Sequence, residues 1–163
     1  PYDKYVSGDL SALNNDEKNG LILFYGKARC ANCHYGPMFS DFDLHALGIP
    51  ENPESPHFPA DSGAFNEFKF KTPTLRNVTL TGPYMHNGMM TSLKDIVEYM
   101  NEGFSGNDNV TAEYLATDMA PLGLTEKEID QIVAFLESLT DENFDTVVPS
   151  SVPSGLQVGG NID

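Results

Sequence analysis

The chain's only two cysteines stand three positions apart, with a histidine directly behind the second: Cys30-Ala31-Asn32-Cys33-His34, inside the stretch KARCANCHYGPMF. A chain that places its whole thiol supply in one short loop admits few readings. A structural zinc site wants a second ligand pair, yet no further cysteine exists, and His45, His57 and His86 show no paired spacing. A thioredoxin-like redox pair should sit in an alternating strand–helix pattern, which the surrounding sequence lacks. Two buried structural thiols would leave the adjacent imidazole without a role. The fourth reading, C-x-x-C-H, is the attachment sequence of c-type haem. Both thiols add across the porphyrin vinyl groups, and the imidazole of the next residue is thereby held beneath the iron. Haem is the leading reading, with zinc and dithiol chemistry as its alternatives.

The rest of the chain is read around that loop. At 163 residues it is one domain by the usual prior, divided into a polar, linker-like lead-in (1–14), a haem domain (15–140) and an irregular tail (141–163). A helix is expected from about Asp16 to Lys27, with Asn15 as its N-cap. Between Tyr35 and Lys71 the sequence is irregular, and four prolines at three-residue spacing (Pro50, Pro53, Pro56, Pro59) forbid a continuous helix or central strand there. A loop this long is uncommon in a compact domain unless it wraps something. A second helix is expected from Ser92 to Asn101, ended by Gly103, because Leu93, Ile96, Val97 and Met100 fall on one face. The last helix opens on a capping box, Thr125 with Glu128, and carries an apolar stripe through Ile129, Ile132, Val133, Leu136 and Leu139. Gly20, with Phe24 and the helix of Phe135, is placed to form a close crossing of first and last helices. The expected fold class is all-α and cytochrome c-like, with long loops wrapping one covalently bound haem.

Charge and hydropathy narrow the partners. Nine basic residues against 24 acidic ones leave a formal charge of −15, which repels phosphate backbones and anionic lipid. Nucleic acid and membrane surfaces are therefore poor partners, and a basic protein, drawn in at long range, is a better one. No apolar run approaches the roughly 20 residues that cross a bilayer. The first residues, PYDKYVSGD, are already polar, so the chain reads as a mature or truncated product. Haem attachment through thiols points to the bacterial periplasm.

What covers the other face of the iron stays open at this level. Six methionines are candidates: Met38, Met85, Met89, Met90, Met100 and Met119. A thioether would raise the potential and close the coordination sphere, as in an electron carrier. An open face would admit peroxide or oxygen. By pattern alone Met100 is a core residue on a helix stripe.

Four segments, NGLILFYGKARCANCHYGPMFSD, FKTPTLRNVTLTGPYMHNG, SLKDIVEYM and LTEKEIDQIVAFLESL, resemble in order and spacing the C-terminal, high-potential haem domain of the bacterial di-haem cytochrome c peroxidases, which include the MauG proteins. The resemblance covers most of residues 10–140, and its second segment is far more specific than C-x-x-C-H. It implies that Met100 is the second axial ligand, where the MauG branch carries Tyr, with Met89 and Met90 as fallbacks. It also implies a calcium ion on the carbonyls of Thr81 and Pro83, a donor type that suits this cation. The family's N-terminal half, which holds the peroxidatic haem, has no counterpart here, since one C-x-x-C-H motif is present and no tryptophan. The implied partners are that half and a small cytochrome or copper protein as electron donor.

Two further residues are candidates from their chemistry. Arg76 would pair with a haem propionate, a task suited to a guanidinium fork, against the reading of a surface arginine. Pro37 would accept a hydrogen bond from the His34 ring through its carbonyl, against the reading of an ordinary loop proline. The function expected is electron transfer by a His34/Met100 haem, as the relay half of a peroxidase. The alternatives are direct peroxide reduction at an open haem and a stand-alone monohaem carrier.

Overall fold

The computed structural model describes residues 1–55, 61–141, 143 and 151–155. Most of the tail assigned to 141–163 lies outside these residues, as does His57. Among the described residues there are four α-helices: α1 (Tyr2–Val6), α2 (Asn15–Tyr25), α3 (Leu93–Glu102) and α4 (Glu126–Glu137).

Each long helix begins where a side chain takes the free amide groups of its first turn. The Asn14 carboxamide accepts from the Glu17 amide at 3.0 Å, and the Glu17 carboxylate accepts from the Asn14 amide at 2.7 Å. The cap is thus one residue earlier than the sequence indicated, because Asn14, not Asn15, has a glutamate three positions on. Ser92 with Asp95 and Thr125 with Glu128 form the same reciprocal arrangement. Helix α3 stops at Gly103, whose φ of +65° and lack of a Cβ are both required. A Cβ there would lie 2.1 Å from the Ala120 carbonyl carbon.

Helices α2 and α4 cross in close contact, and Gly20 makes the crossing possible: a Cβ at that position would sit 1.9 Å from the Gln131 carbonyl oxygen. Beside it lies an aromatic cluster. The Phe24, Phe39 and Phe135 rings meet edge to face at centroid distances of 5.1–6.1 Å, and Tyr2 from α1 joins them against Phe39 and Phe135. All three phenylalanines are essentially inaccessible to water. Burial of this kind is worth about 2–3 kcal/mol for each such ring, with about 1 kcal/mol more from a favourable ring pair. The lead-in is therefore tied to the domain: the Tyr2 amide also donates to the Ser138 carbonyl at 3.2 Å.

The all-α expectation is corrected here. Leu44–His45 (β1) and Phe70–Lys71 (β2) pair as a two-stranded antiparallel sheet, Leu44 opposite Lys71 and His45 opposite Phe70. The two stems of the intervening loop meet, and their backbone groups find partners in each other. A parallel bridge of Ala46 to Leu115 then fastens the stem to the segment before α4. On α3, the Tyr99 hydroxyl donates to the carbonyls of Leu47 and Gly48, at 2.9 and 2.6 Å, which holds the same stem against the helix. Helices on one side and the stem on the other leave a hollow between them.

Candidate functional site

That hollow has a volume of about 540 Å³, within the roughly 300–1,000 Å³ of ligand and cofactor pockets. Phe24, Val78, Val97, Ile132 and Leu136 from the helical side supply apolar wall. Cys30, Cys33 and His34 stand on the same wall. After α2 the chain turns through Gly26 and through Arg29, whose φ is +55°, and makes one 3₁₀ turn over Cys30–Asn32. The His34 amide donates to the Cys30 carbonyl at 2.9 Å, so one turn of chain sets the two sulfurs and the imidazole in fixed order.

The thiols are free and partly buried. Burial pushes Cys30 up to about 12. Cys33 rises to about 11, first through burial and then through the charges of Asp41, Asp118 and Asp43. Burial thus disfavours at both positions the thiolate that a redox-active pair uses. Burial also pushes His34 below the ordinary histidine range. Its Nδ1 lies 2.8 Å from the Phe39 carbonyl. A carbonyl only accepts, so the neutral ring carries its proton on Nδ1 and keeps the Nε2 lone pair for a metal.

The Pro37 expectation is corrected by this contact. The acceptor is Phe39, two residues further on, because Phe39 adopts φ +51° and turns its carbonyl towards His34. Pro37 gives its carbonyl to Arg76 Nε at 2.9 Å. Arg76 stands elsewhere. It is absent from the cavity wall, and its guanidinium is taken by Asp3 of α1, with one nitrogen at 2.9 Å from a carboxylate oxygen.

Met100, from α3, does reach the cavity, and so do Met85 and Met119, which the sequence left undistinguished. The fallbacks do not: Met90 is buried in a second apolar cluster with Ile49, Tyr99 and Met119, and Met89 is 41% exposed. Thr81 and Pro83 border the cavity at exposed positions on the turn around Gly82–Pro83. Two carbonyl oxygens there are a small part of the six to eight ligands calcium takes.

Reading along the chain missed two features. His86 and Phe70 stack at 3.7 Å with an 11° interplanar angle, and both line the cavity. His45, for which the sequence showed no paired spacing, lies on the wall with its Nε2 2.8 Å from Asp41. Cys33, Asp41 and His45 bring their ligand atoms within 4.8 Å of one another, so the zinc reading gains partners that spacing did not reveal. The group stops at three among the described residues and omits Cys30. A closed structural zinc site takes four ligands. The C-x-x-C spacing gave no hint of it; the Asp41 amide donates to the Cys33 carbonyl at 2.8 Å, and His45 follows four positions later.

No family model matches the chain. Among curated proteins it is 36% identical over 179 residues to the cytochrome-c peroxidase IdrP2 of Denitromonas iodatirespirans, covering 92% of this chain and 46% of that protein. It is 35% identical to the methylamine utilization protein MauG of Methylorubrum extorquens, covering 87% and 39%. Among solved structures, a MauG-like protein associated with microbial copper homeostasis superposes with a TM-score of 0.70 at 27% identity, covering 86% of this chain and 48% of that one. The diheme peroxidase BthA from Burkholderia thailandensis gives a TM-score of 0.68 at 25% identity, covering 86% and 46%. The chain thus spans less than half the length of these relatives.

Proposed function

Because this chain belongs to the family of di-haem cytochrome c peroxidases and MauG proteins, we propose that it is the high-potential, electron-relaying haem half of a longer di-haem peroxidase. The observation that carries this is the arrival of Cys30, Cys33 and His34 on the wall of an apolar cavity that Met100 enters from another helix. The residues fit a c-type haem: two protonated thiols to form thioethers, a neutral imidazole with a free Nε2, and thioether sulfur within the same hollow. A haem held by them supplies one-electron redox chemistry.

The chain's own contribution is placement and exclusion. The Phe39 carbonyl fixes the His34 tautomer and strengthens its ring as a donor. The apolar wall keeps water from the site and lowers the local dielectric. His34 and Met100 would hold the haem iron between them, and a haem so held would pass electrons rather than reduce peroxide, which we assign to the intact protein. A net charge of −15 favours a small basic donor protein. The periplasm is the compartment in which this attachment chemistry fits. Among the described residues no helix is long and apolar enough to cross a membrane. A calcium ion at the Thr81–Pro83 turn belongs to the same reading, with most of its ligands drawn from water and the other half of the protein.

Spectroscopy of the oxidised chain tests the reading. One haem per chain, a low-spin spectrum and a near-infrared sulfur-to-iron band that vanishes in Met100→Ala are expected. A high-spin spectrum in the unaltered chain overturns the ligand assignment and favours direct peroxide chemistry. A persisting band in Met100→Ala moves the assignment to Met85 or Met119.

A further inference from the structure

The loop that carries the His34 acceptor is held from outside by one short segment. Three consecutive carbonyls are all taken: Pro37 by Arg76 Nε at 2.9 Å, Met38 by the Thr74 hydroxyl at 2.6 Å, and Phe39 by His34 Nδ1 at 2.8 Å. The Thr74 hydroxyl in turn accepts from the Arg76 amide at 3.1 Å. Phe39 holds a left-handed backbone (φ +51°), a strained conformation that a bulky residue keeps only when its surroundings determine it.

Those surroundings are the Phe24 and Phe135 rings on the inside, with Tyr2 of α1 and the Arg76 guanidinium on the outside. The guanidinium lies 5.3 Å from the Phe39 ring centroid and 5.7 Å from that of Tyr2, and the Tyr2 ring meets Phe39 edge to face at 5.2 Å. Asp3 closes the far side of the guanidinium with both carboxylate oxygens, and the pairing holds its carboxyl below the ordinary aspartate range. An exposed ion pair by itself contributes little. This one is joined to a strained loop that presents the Phe39 carbonyl to His34.

We propose that Arg76 is a positioning residue that couples the placement of α1 to the axial histidine. The coupling runs from Asp3 and Tyr2 through Arg76 to Pro37 and Phe39, and ends at the Nδ1 proton of His34. It tunes how strongly His34 donates to the metal it holds, and hence the reduction potential. The inference rests on the haem reading above. Its structural consequence is that the segment preceding this domain has a mechanical route to the haem ligand.

The direction of the effect is fixed by chemistry. A weaker Nδ1–H···O=C bond makes His34 a poorer donor, which favours the reduced metal and raises the potential. Loss of the guanidinium charge alone acts the other way, because a nearby cation stabilises the reduced form. Arg76→Lys keeps the charge and loses the fork, and Tyr2→Leu keeps all charges and loses the ring. Spectroelectrochemical titration of the haem-loaded full chain is expected to show both variants shifted several-fold towards the reduced form. An unchanged or lowered potential in Arg76→Lys overturns the proposal, even if thermal stability falls. If Arg76→Lys fails to fold, Tyr2→Leu carries the test with the same two outcomes. A chain that comes out without haem defeats the functional reading instead, so the two failures are distinguishable.

Discussion

Replacing Gly20 by alanine sets two well-characterised effects against each other. Alanine is the better helix former by about 1 kcal/mol, so an isolated α2 would gain. In the folded chain the new methyl would lie 1.9 Å from the Gln131 carbonyl oxygen and 2.8 Å from the Phe135 Cβ. A carbon resting on a carbonyl oxygen needs about 3.3 Å, so α2 and α4 must part by more than about 1 Å. The obstacle is backbone within α4 and cannot rotate away. Separation also pulls apart Phe24 and Phe135, whose centroids are 5.1 Å apart. Overpacking costs about 1–3 kcal/mol, and a backbone obstacle puts this site at the upper end. The net loss is then about 2 kcal/mol, which for a chain of this size lowers Tm by roughly 4–8 °C. Thermal unfolding followed by far-ultraviolet circular dichroism on the haem-loaded chain measures it, with Ile22→Ala as control, since Ile22 lies on the same helix and is 69% exposed. The control should stay within about 0.5 kcal/mol apart from small propensity changes. A Gly20→Ala variant as stable as the unaltered chain, or more so, refutes the close-crossing argument.

Other positions give equally direct outcomes. Tyr99→Phe removes the hydroxyl that holds the Leu47 and Gly48 carbonyls, and should cost about 1–3 kcal/mol in chemical denaturation; an unchanged midpoint contradicts that role. Glu128 is held at about 2 by its hydrogen bond to Lys27 and by the Thr125 amide. Its folded value is depressed, so its contribution is complete above the ordinary carboxylate range and is lost as pH falls towards 2. Glu128→Gln should therefore lower Tm at neutral pH and narrow the gap to the unaltered chain on acidification; a gap constant with pH contradicts the assignment. Asp3 follows the same sign through Arg76, so Asp3→Asn should flatten the acid limb of the stability curve. The Met100→Ala spectrum described above completes the set.

Which parts of this protein were legible in order of residues follows from range. Capping boxes, a glycine stop and the C-x-x-C-H loop act within a few positions, and each stands in the structure at or within one residue of where the pattern put it. Gly20 was legible for a related reason, since a glycine on an apolar helix face leaves room for a second helix. The resemblance of four segments to a known family also lay in the sequence, and the relatives bear out that family. The acceptor for His34 was not legible. Pro37 and Phe39 are both within reach of the ring along the chain, and only the aromatic cluster from α2, α4 and α1 decides that Phe39 turns its carbonyl inward.

Arg76, His45 and the β1–β2 pair share that cause. A guanidinium offers the same fork to a propionate or to Asp3, and 73 positions of chain separate it from the partner it takes. His45 reaches Asp41 only four positions away, a local contact, but its place on the cavity wall follows from the pairing of β1 with β2, which no local spacing encodes. The order of residues alone determined which side chains carry the chemistry and where the helices begin, because those preferences are settled by near neighbours. The tertiary structure alone decided which carbonyl, carboxylate and thioether face each of them, because those choices depend on contacts between segments that the chain brings together only when it folds.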